Sequence, residues 1–459
     1  MAQMYEPVDS AEKRLRKFRE VAAAAEEARS SRYQNINAQP KIQRVPVMFR
    51  EDHKYQRYYE PRVTAIGPFH HDKFQWCQQG EKLKLQLAVN FVRDSKQNEA
   101  DLLKKVDVNI KELRECYAQE PTGRYVDDDL ALMLFVDGCS TLEFIYKYDD
   151  LECFEIKSDQ VALAEQDIFL LENQLPYQLL KLLMSSSSIH EDLEDSIERF
   201  VLMHSTFAPY QPQRVAGAAR REDVRISTEP EPTHLLELLR TRILGYPPKK
   251  SEPSVNIRPQ SFHNVQELQA AGIQFRPVRG PSVLGDIYFK SFLWLGFLYL
   301  PKIKVDDSMA HKFMNLIAYE MCPDFQNDFG VTSYIGFLDS LINYADDVKH
   351  LRKNHILRNL LGSDEEVARL FNEIGTDLVP NNAIYRNVKR MIEDHYQTRW
   401  KKWMAQFFYD HFSKPWILAF IGVLSGLGLS AVQTWYSANS DKSSTPCKAL
   451  LEYLKARGY

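Results

Sequence analysis

A chain of 459 residues with 58 Lys and Arg against 62 Asp and Glu, a net charge of −4, is long enough for a large buried core and carries no cationic excess for a nucleic-acid polyanion. An apolar share of 44% with a charged share of 26% excludes wholesale disorder, collagen-like repetition and a polytopic membrane protein. The six cysteines, Cys77, Cys116, Cys139, Cys153, Cys322 and Cys447, contain no C-x-x-C pair, which excludes a disulfide scaffold and zinc-finger spacing.

Residues 1–41 are charged and Ala-rich, with a thin apolar stripe of Leu15, Phe18 and Ala22; they read as a solvated helix or flexible arm. The first residues hold no apolar core, so no secretory signal is expected. From residue 42 the pattern turns globular. Val45-Pro-Val-Met-Phe49 reads as extended, and Val63–Phe69 as a strand running into a turn at Gly67-Pro68. Helices are expected over Leu83–Arg93, Ala100–Tyr117, Leu130–Phe144 and Gln160–Leu183, the last broken by Pro176. Residues 184–262 hold a serine run and Pro-, Arg- and Lys-rich stretches that read as insertions around one helix, His234–Arg242. Val283–Leu300, rich in aromatics and β-branched residues, is expected to hold strands. Helices follow from Asp306-Asp307 to Ala318 and over Tyr334–Leu351. A third, behind the capping box Ser363–Glu366, carries Val367, Leu370, Phe371 and Ile374 on one stripe.

The C-terminal region differs. Pro415–Ser440 has no charged residue, and its apolar length suits a bilayer core of about 30 Å. Trp416 at one end and Trp435 with Tyr436 at the other fit the two membrane interfaces. Residues 413–436 are therefore expected to span a membrane once, followed by a short tail, 437–459. Flanking cations (Arg399, Lys401, Lys402 and Lys414 before, Lys442, Lys448 and Lys455 after) place the bulk of the chain in the cytosol by one charge. Gly422 and Gly426 form a G-x-x-x-G at which two such helices could pack as a homodimer. The preceding run, Tyr396–Phe412, is aromatic and basic, as suits an interfacial helix.

Catalytic signatures are scarce. G-x-S-x-G, G-x-x-x-x-G-K-[ST] and H-E-x-x-H are absent. His70-His71-Asp72, with His53 and Cys77 nearby, has the chemistry for a metal but not the regular spacing. The acidic runs Asp127–Asp129, Asp149-Asp150, Asp306-Asp307 and Asp346-Asp347 fit helix starts and solvated faces, with the last pair turned to solvent. Glu172, Asn173 and Gln174 lie inside an apolar run from Asp167 to Tyr177. They are expected to form a buried hydrogen-bond network rather than a ligand site.

A set of ordered elements carries a family resemblance. It includes Ile66-Gly-Pro-Phe-His-His71, Met133-Leu-Phe-Val-Asp-Gly-Cys139, Leu170-Leu-Glu-Asn-Gln-Leu-Pro176, Asn315-Leu-Ile-Ala-Tyr-Glu320, Val331-Thr-Ser-Tyr334, Gly362-Ser-Asp-Glu-Glu-Val367 and Pro415-Trp416. Over residues 42–436 the chain closely resembles the plant proteins with domain of unknown function 247, the UPF-type 0481 family. The resemblance implies a mostly helical protein with one C-terminal membrane helix, no transferable catalytic residues and, in some grass relatives, a pollen-side role in self-incompatibility. The chain is thus read as mainly α with a minor β component. One globular domain, 42–412, precedes the membrane helix. Its expected role is a membrane-anchored interaction or recognition module, not an enzyme, without cofactor or metal. Lipid and unidentified proteins are the expected partners. A self-incompatibility determinant and an uncharacterised enzyme using His70, His71 and Glu172 are the alternatives.

Overall fold

The longest apolar run of the first half becomes a central helix, Asp127–Tyr146. The computed structural model describes residues 13–23, 41–71, 78–154, 157–185, 187–205, 231–245, 263–280, 282–293, 295–324, 329–397, 415–440 and 445–458. Among these, helices dominate and five short strands occur. The chain divides into two units. The first comprises Met1–Pro247, Asp306–Tyr334 and Asp377–Asn381; the second comprises Pro248–Val305, Ile335–Thr376 and Asn382–Tyr459.

In the first unit, three aspartates in the opening turn of Asp127–Tyr146 complement its dipole. Helices Gln78–Asp94, Glu99–Val108, Tyr177–Met184 and His190–His204 pack around it. Its side chains are buried on nearly all sides, including the polar Asp137 and Glu143. Gly138 permits one close crossing: a Cβ there would stand 2.5 Å from Leu183 Cδ1.

Several expected elements are interrupted, each for a local reason. The helix expected over Ala100–Tyr117 divides into Glu99–Val108 and Ile110–Glu115. At the break, the Asn109 side chain donates back to Lys105 O at 2.8 Å, competing with the backbone ladder. The run 160–183 divides into Ser158–Ile168, a 3-10 turn Leu171–Asn173, and Tyr177–Met184 begun by Pro176. Val45–Phe49 is not extended throughout: Val47–Arg50 is one helical turn whose first carbonyl acceptor is Pro46 O. Residues 63–69 form no strand; the segment is irregular, and the N–H groups of Val63, Thr64, Ile66 and Gly67 go to side chains.

The second unit holds both sheets. β1 (Ile273–Pro277), β2 (Tyr288–Phe292) and β3 (Leu295–Leu300) run in the order β1-β3-β2, with β1 parallel and β2 antiparallel to β3. Ile273, Phe275, Phe289, Leu298 and Leu300 face inward, where Phe289 meets His395 at 5.7 Å between ring centroids. β4 (Ile303–Val305) pairs parallel with β5 (Leu357–Asn359). The helix expected over Tyr334–Leu351 divides into Gly330–Leu341 and Ala345–Lys353. The cause is Asp347, which is buried rather than turned to solvent. Its carboxylate accepts the N–H groups of Asn343, Tyr344 and Gln266, capping the second helix.

The apolar C-terminal run forms the helix Pro415–Ser440. Among the described residues, no helix is long and apolar enough to cross a membrane, so the span expected at 413–436 finds no support there.

Candidate functional site

The densest polar constellation lies in the first unit, around the irregular segment 62–67. A segment without secondary structure must place its backbone N–H groups elsewhere. Asp167, at the end of helix Ser158–Ile168, accepts from Arg62 N (2.9 Å), Val63 N (2.7 Å) and Thr64 N (3.0 Å). Asn173 Oδ1 accepts from Ile66 N at 2.7 Å, and its Nδ2 donates to Thr64 O and Asp167 O. Asp137, in the middle of the central helix, accepts from Gly67 N at 2.8 Å. Gly67 has φ +71°, and a Cβ there would stand 3.0 Å from Gln174 O, so this position needs glycine.

Lys84 closes the arrangement. Its Nζ donates to Asp137 Oδ1 (2.8 Å) and Ala65 O (2.7 Å) and pairs with Glu81 (2.8 Å). Burial opposes the ammonium, but Asp137 and Glu81 hold its pKa above the ordinary value. Burial raises the Asp167 carboxyl to about 6 although three N–H groups point at it.

Glu172 and His70 are brought together, as the enzymatic reading requires. His70 Nε2 lies 3.5 Å from Glu172 Oε2, both side chains nearly inaccessible. The other oxygen, Oε1, accepts from Val45 N at 2.9 Å. His71 is exposed, its ring 6.2 Å edge-on from Tyr125. Asp72 and Cys77 lie outside the described residues, and His53 is exposed at the start of the short helix His53–Gln56. The Cys322 thiol near Glu172 is pushed up to about 12 by burial, with Asp324 and Glu172 adding repulsion; such a thiol is inert as a nucleophile. Among the described residues, no group of three or more His, Cys, Asp or Glu could hold a metal ion.

The remaining polar residues complete a structural network. Gln174 Nε2 donates to Ile168 O and Leu170 O, and its Oε1 accepts from Leu236 N. Asn315 Oδ1 accepts from Leu171 N while its Nδ2 donates to Tyr58 O and His311 O. Glu320 accepts from Val331 N, Thr332 N, Thr332 Oγ1 and Arg240. The buried triplet 172–174 was legible as a network. Lys84, Asp137, Asn315 and Glu320 were missed as its members; their only signal was a lone polar residue within an apolar helical face. A cavity of about 30 Å³ beside Thr64, Lys84 and Thr141 has room for about one water, far below a substrate pocket.

The residues read as membrane-facing are all in helix Pro415–Ser440. A Cβ at Gly422 or Gly426 would meet nothing within 4 Å. Trp435 and Tyr436 are exposed, their rings 6.5 Å apart; the Trp416 side chain lies outside those described.

The chain is 27% identical over 413 residues, 82% of each protein, to a UPF0481 protein of Arabidopsis thaliana. A putative UPF0481 protein of the same plant is 28% identical over 174 residues, 37% of this chain and 32% of that protein. No solved structure matches. The family DUF247, described as a plant protein of unknown function, matches residues 42–428, and the chain belongs to that family.

Proposed function

We propose that the chain is a membrane-anchored interaction module that carries out no catalysis of its own. The observation that carries the anchor is helix Pro415–Ser440. Val423, Leu424, Leu427, Leu429, Val432, Trp435 and Tyr436 are exposed around its whole circumference, with Leu429 at 71%. A helix apolar on every side that meets water is unfavourable, and a bilayer removes that cost. Trp435 and Tyr436 then lie at the interface, and the open Gly422 and Gly426 face allows a second copy to approach.

The buried carboxylates and amides of the first unit support the non-catalytic half of the reading. Asp137, Asp167, Glu172, Asn173 and Gln174 are all engaged by backbone N–H groups. Partners are then met by the exposed surface, and the bulk of the chain faces the cytosol.

Alkaline extraction followed by protease digestion of sealed, cytosol-facing vesicles tests the anchor. The protein is expected to stay in the membrane pellet, with an N-terminal tag cut and a C-terminal tag protected. Release into the alkaline supernatant would remove the anchor; a protected N-terminal tag would reverse the orientation.

A further inference from the structure

The hairpin joining β2 to β3 ends in Phe292 and Leu293, which are 68% and 64% exposed. Leu293 has φ +53°. Hairpin turns that need a positive φ take Asn, Asp or Gly there, because a larger side chain clashes. A leucine is therefore poor for stability twice over, in backbone conformation and in its exposure to water. Features of this kind persist at functional positions.

The sheet behind the tip is chemically graded. On the solvent-facing side, register places Phe292 beside Leu295, Lys290 beside Phe297, and Tyr299 between Tyr288 and Arg276. Tyr288 and Tyr299 stack with centroids 4.5 Å apart, and Lys290 Nζ lies 5.3 and 5.7 Å from the two rings. Gln274 completes the described positions of this face, none of which is acidic. At about 3.3 Å per residue, the backbone position of Lys290 stands about 7 Å behind that of Phe292, and the position of Tyr288 about 13 Å behind it. A membrane surface presents the same order: acyl chains first, and behind them the headgroup layer, where lipid phosphates and interfacial aromatic rings lie together. The opposite side of the sheet is occupied by its own core, with Phe289 against His395, so insertion of the tip exposes no core residue.

We propose that this hairpin tip docks into the surface of an anionic bilayer, with Phe292 and Leu293 at the acyl boundary and Lys290 and Arg276 at the lipid phosphates. The contact is separate from the C-terminal helix and does not depend on it. The full-length chain carrying Phe292→p-benzoylphenylalanine is irradiated with phosphatidylcholine vesicles, with or without about 30% phosphatidylserine. A second chain carries the same probe in place of Leu429. A lipid adduct at position 292, several-fold stronger with phosphatidylserine and reduced several-fold by Lys290→Glu with Arg276→Glu, is the expected result. Absence of a lipid adduct at 292, or adducts to protein alone, overturns the proposal whatever position 429 shows. An adduct indifferent to anionic lipid and to both charge reversals also overturns it. Position 429 reports only on the C-terminal anchor, so the two readings fail separately.

Discussion

Two buried ionisable residues on the central helix show how differently burial acts with and without partners. Glu143 is fully buried and neither carboxylate oxygen has a hydrogen-bond partner among the described residues. Burial, with repulsion from Asp94, raises its pKa from 4.5 to about 7, and Lys147 and Arg93 offset this only in part. The folded state thus holds a proton that the unfolded state has lost, so this residue's contribution falls as pH rises from about 4.5 to about 7 and is flat above. Asp167, raised to about 6, acts with the same sign. The buried His234 and His311, each lowered to about 4, oppose it below about 6.5. Glu143→Gln isolates one member of this set. In denaturant titrations the variant should gain on the order of 2 kcal/mol over wild type at about pH 8 and little at about pH 5. An equal difference at both pH values would refute the protonation assignment. Asp137 is the contrary case, a carboxylate fully used by Lys84 Nζ and Gly67 N. Asp137→Asn should cost about 1–3 kcal/mol, because the Lys84 ammonium keeps Glu81 and Ala65 O but loses its buried carboxylate partner. Lys84→Met with Asp137→Leu should recover much of the loss. If the double variant is no more stable than either single one in thermal melts, the pair does not act as a unit.

At the scale of elements, two opposing effects meet at Gly138. Alanine is favoured over glycine inside a helix by about 1 kcal/mol. Here its Cβ would stand 2.5 Å from Leu183 Cδ1 and 3.4 Å from Leu179 Cδ2. Overpacking of that kind costs about 1–3 kcal/mol, so the clash wins. Gly138→Ala should lower the thermal midpoint, and adding Leu183→Val should restore part of it. A stabilised single variant would mean that the helix pair has slack at this crossing. These elements also show what the sequence did and did not disclose. Helices Gln78–Asp94 and Asp127–Tyr146 were legible because their apolar period is long and uninterrupted. The breaks at Asn109 and Asp347 were not, because each depends on one polar side chain turning back to the backbone. Segment 63–69 read as a strand running into a turn because its residue types suit one. Its true partners, Asp137, Asp167 and Asn173, lie about 70 to 110 residues away in sequence, a pairing no local pattern encodes. Exposure of Phe292 and Leu293 was hidden for a related reason: periodicity places strands but does not say which side of a sheet is covered.

Across the whole molecule, the order of the chain is not the order of its units. The first unit takes Asp306–Tyr334 from far beyond its main stretch, and those residues are not peripheral to it. Asn315 binds Leu171 N and Tyr58 O, and Glu320 receives Arg240 while holding Val331 N and Thr332 N. A fragment ending at residue 247 would leave Leu171 N and the Arg240 guanidinium without these acceptors, and would expose the apolar surface that Phe313, Leu316 and Ile317 cover. Each buried group so orphaned costs about 1–3 kcal/mol, against a total stability of about 5–15 kcal/mol for a domain. Residues 41–247 alone should therefore retain helical circular dichroism but lose a cooperative thermal transition and bind a hydrophobic dye. Adding residues 306–334 in trans as a peptide should reverse part of that change. A sharp transition in the isolated fragment would show that Asn315 and Glu320 are accessories. Its absence would mean that the network around residues 170–174 is completed only after the later stretch has been synthesised and has folded back.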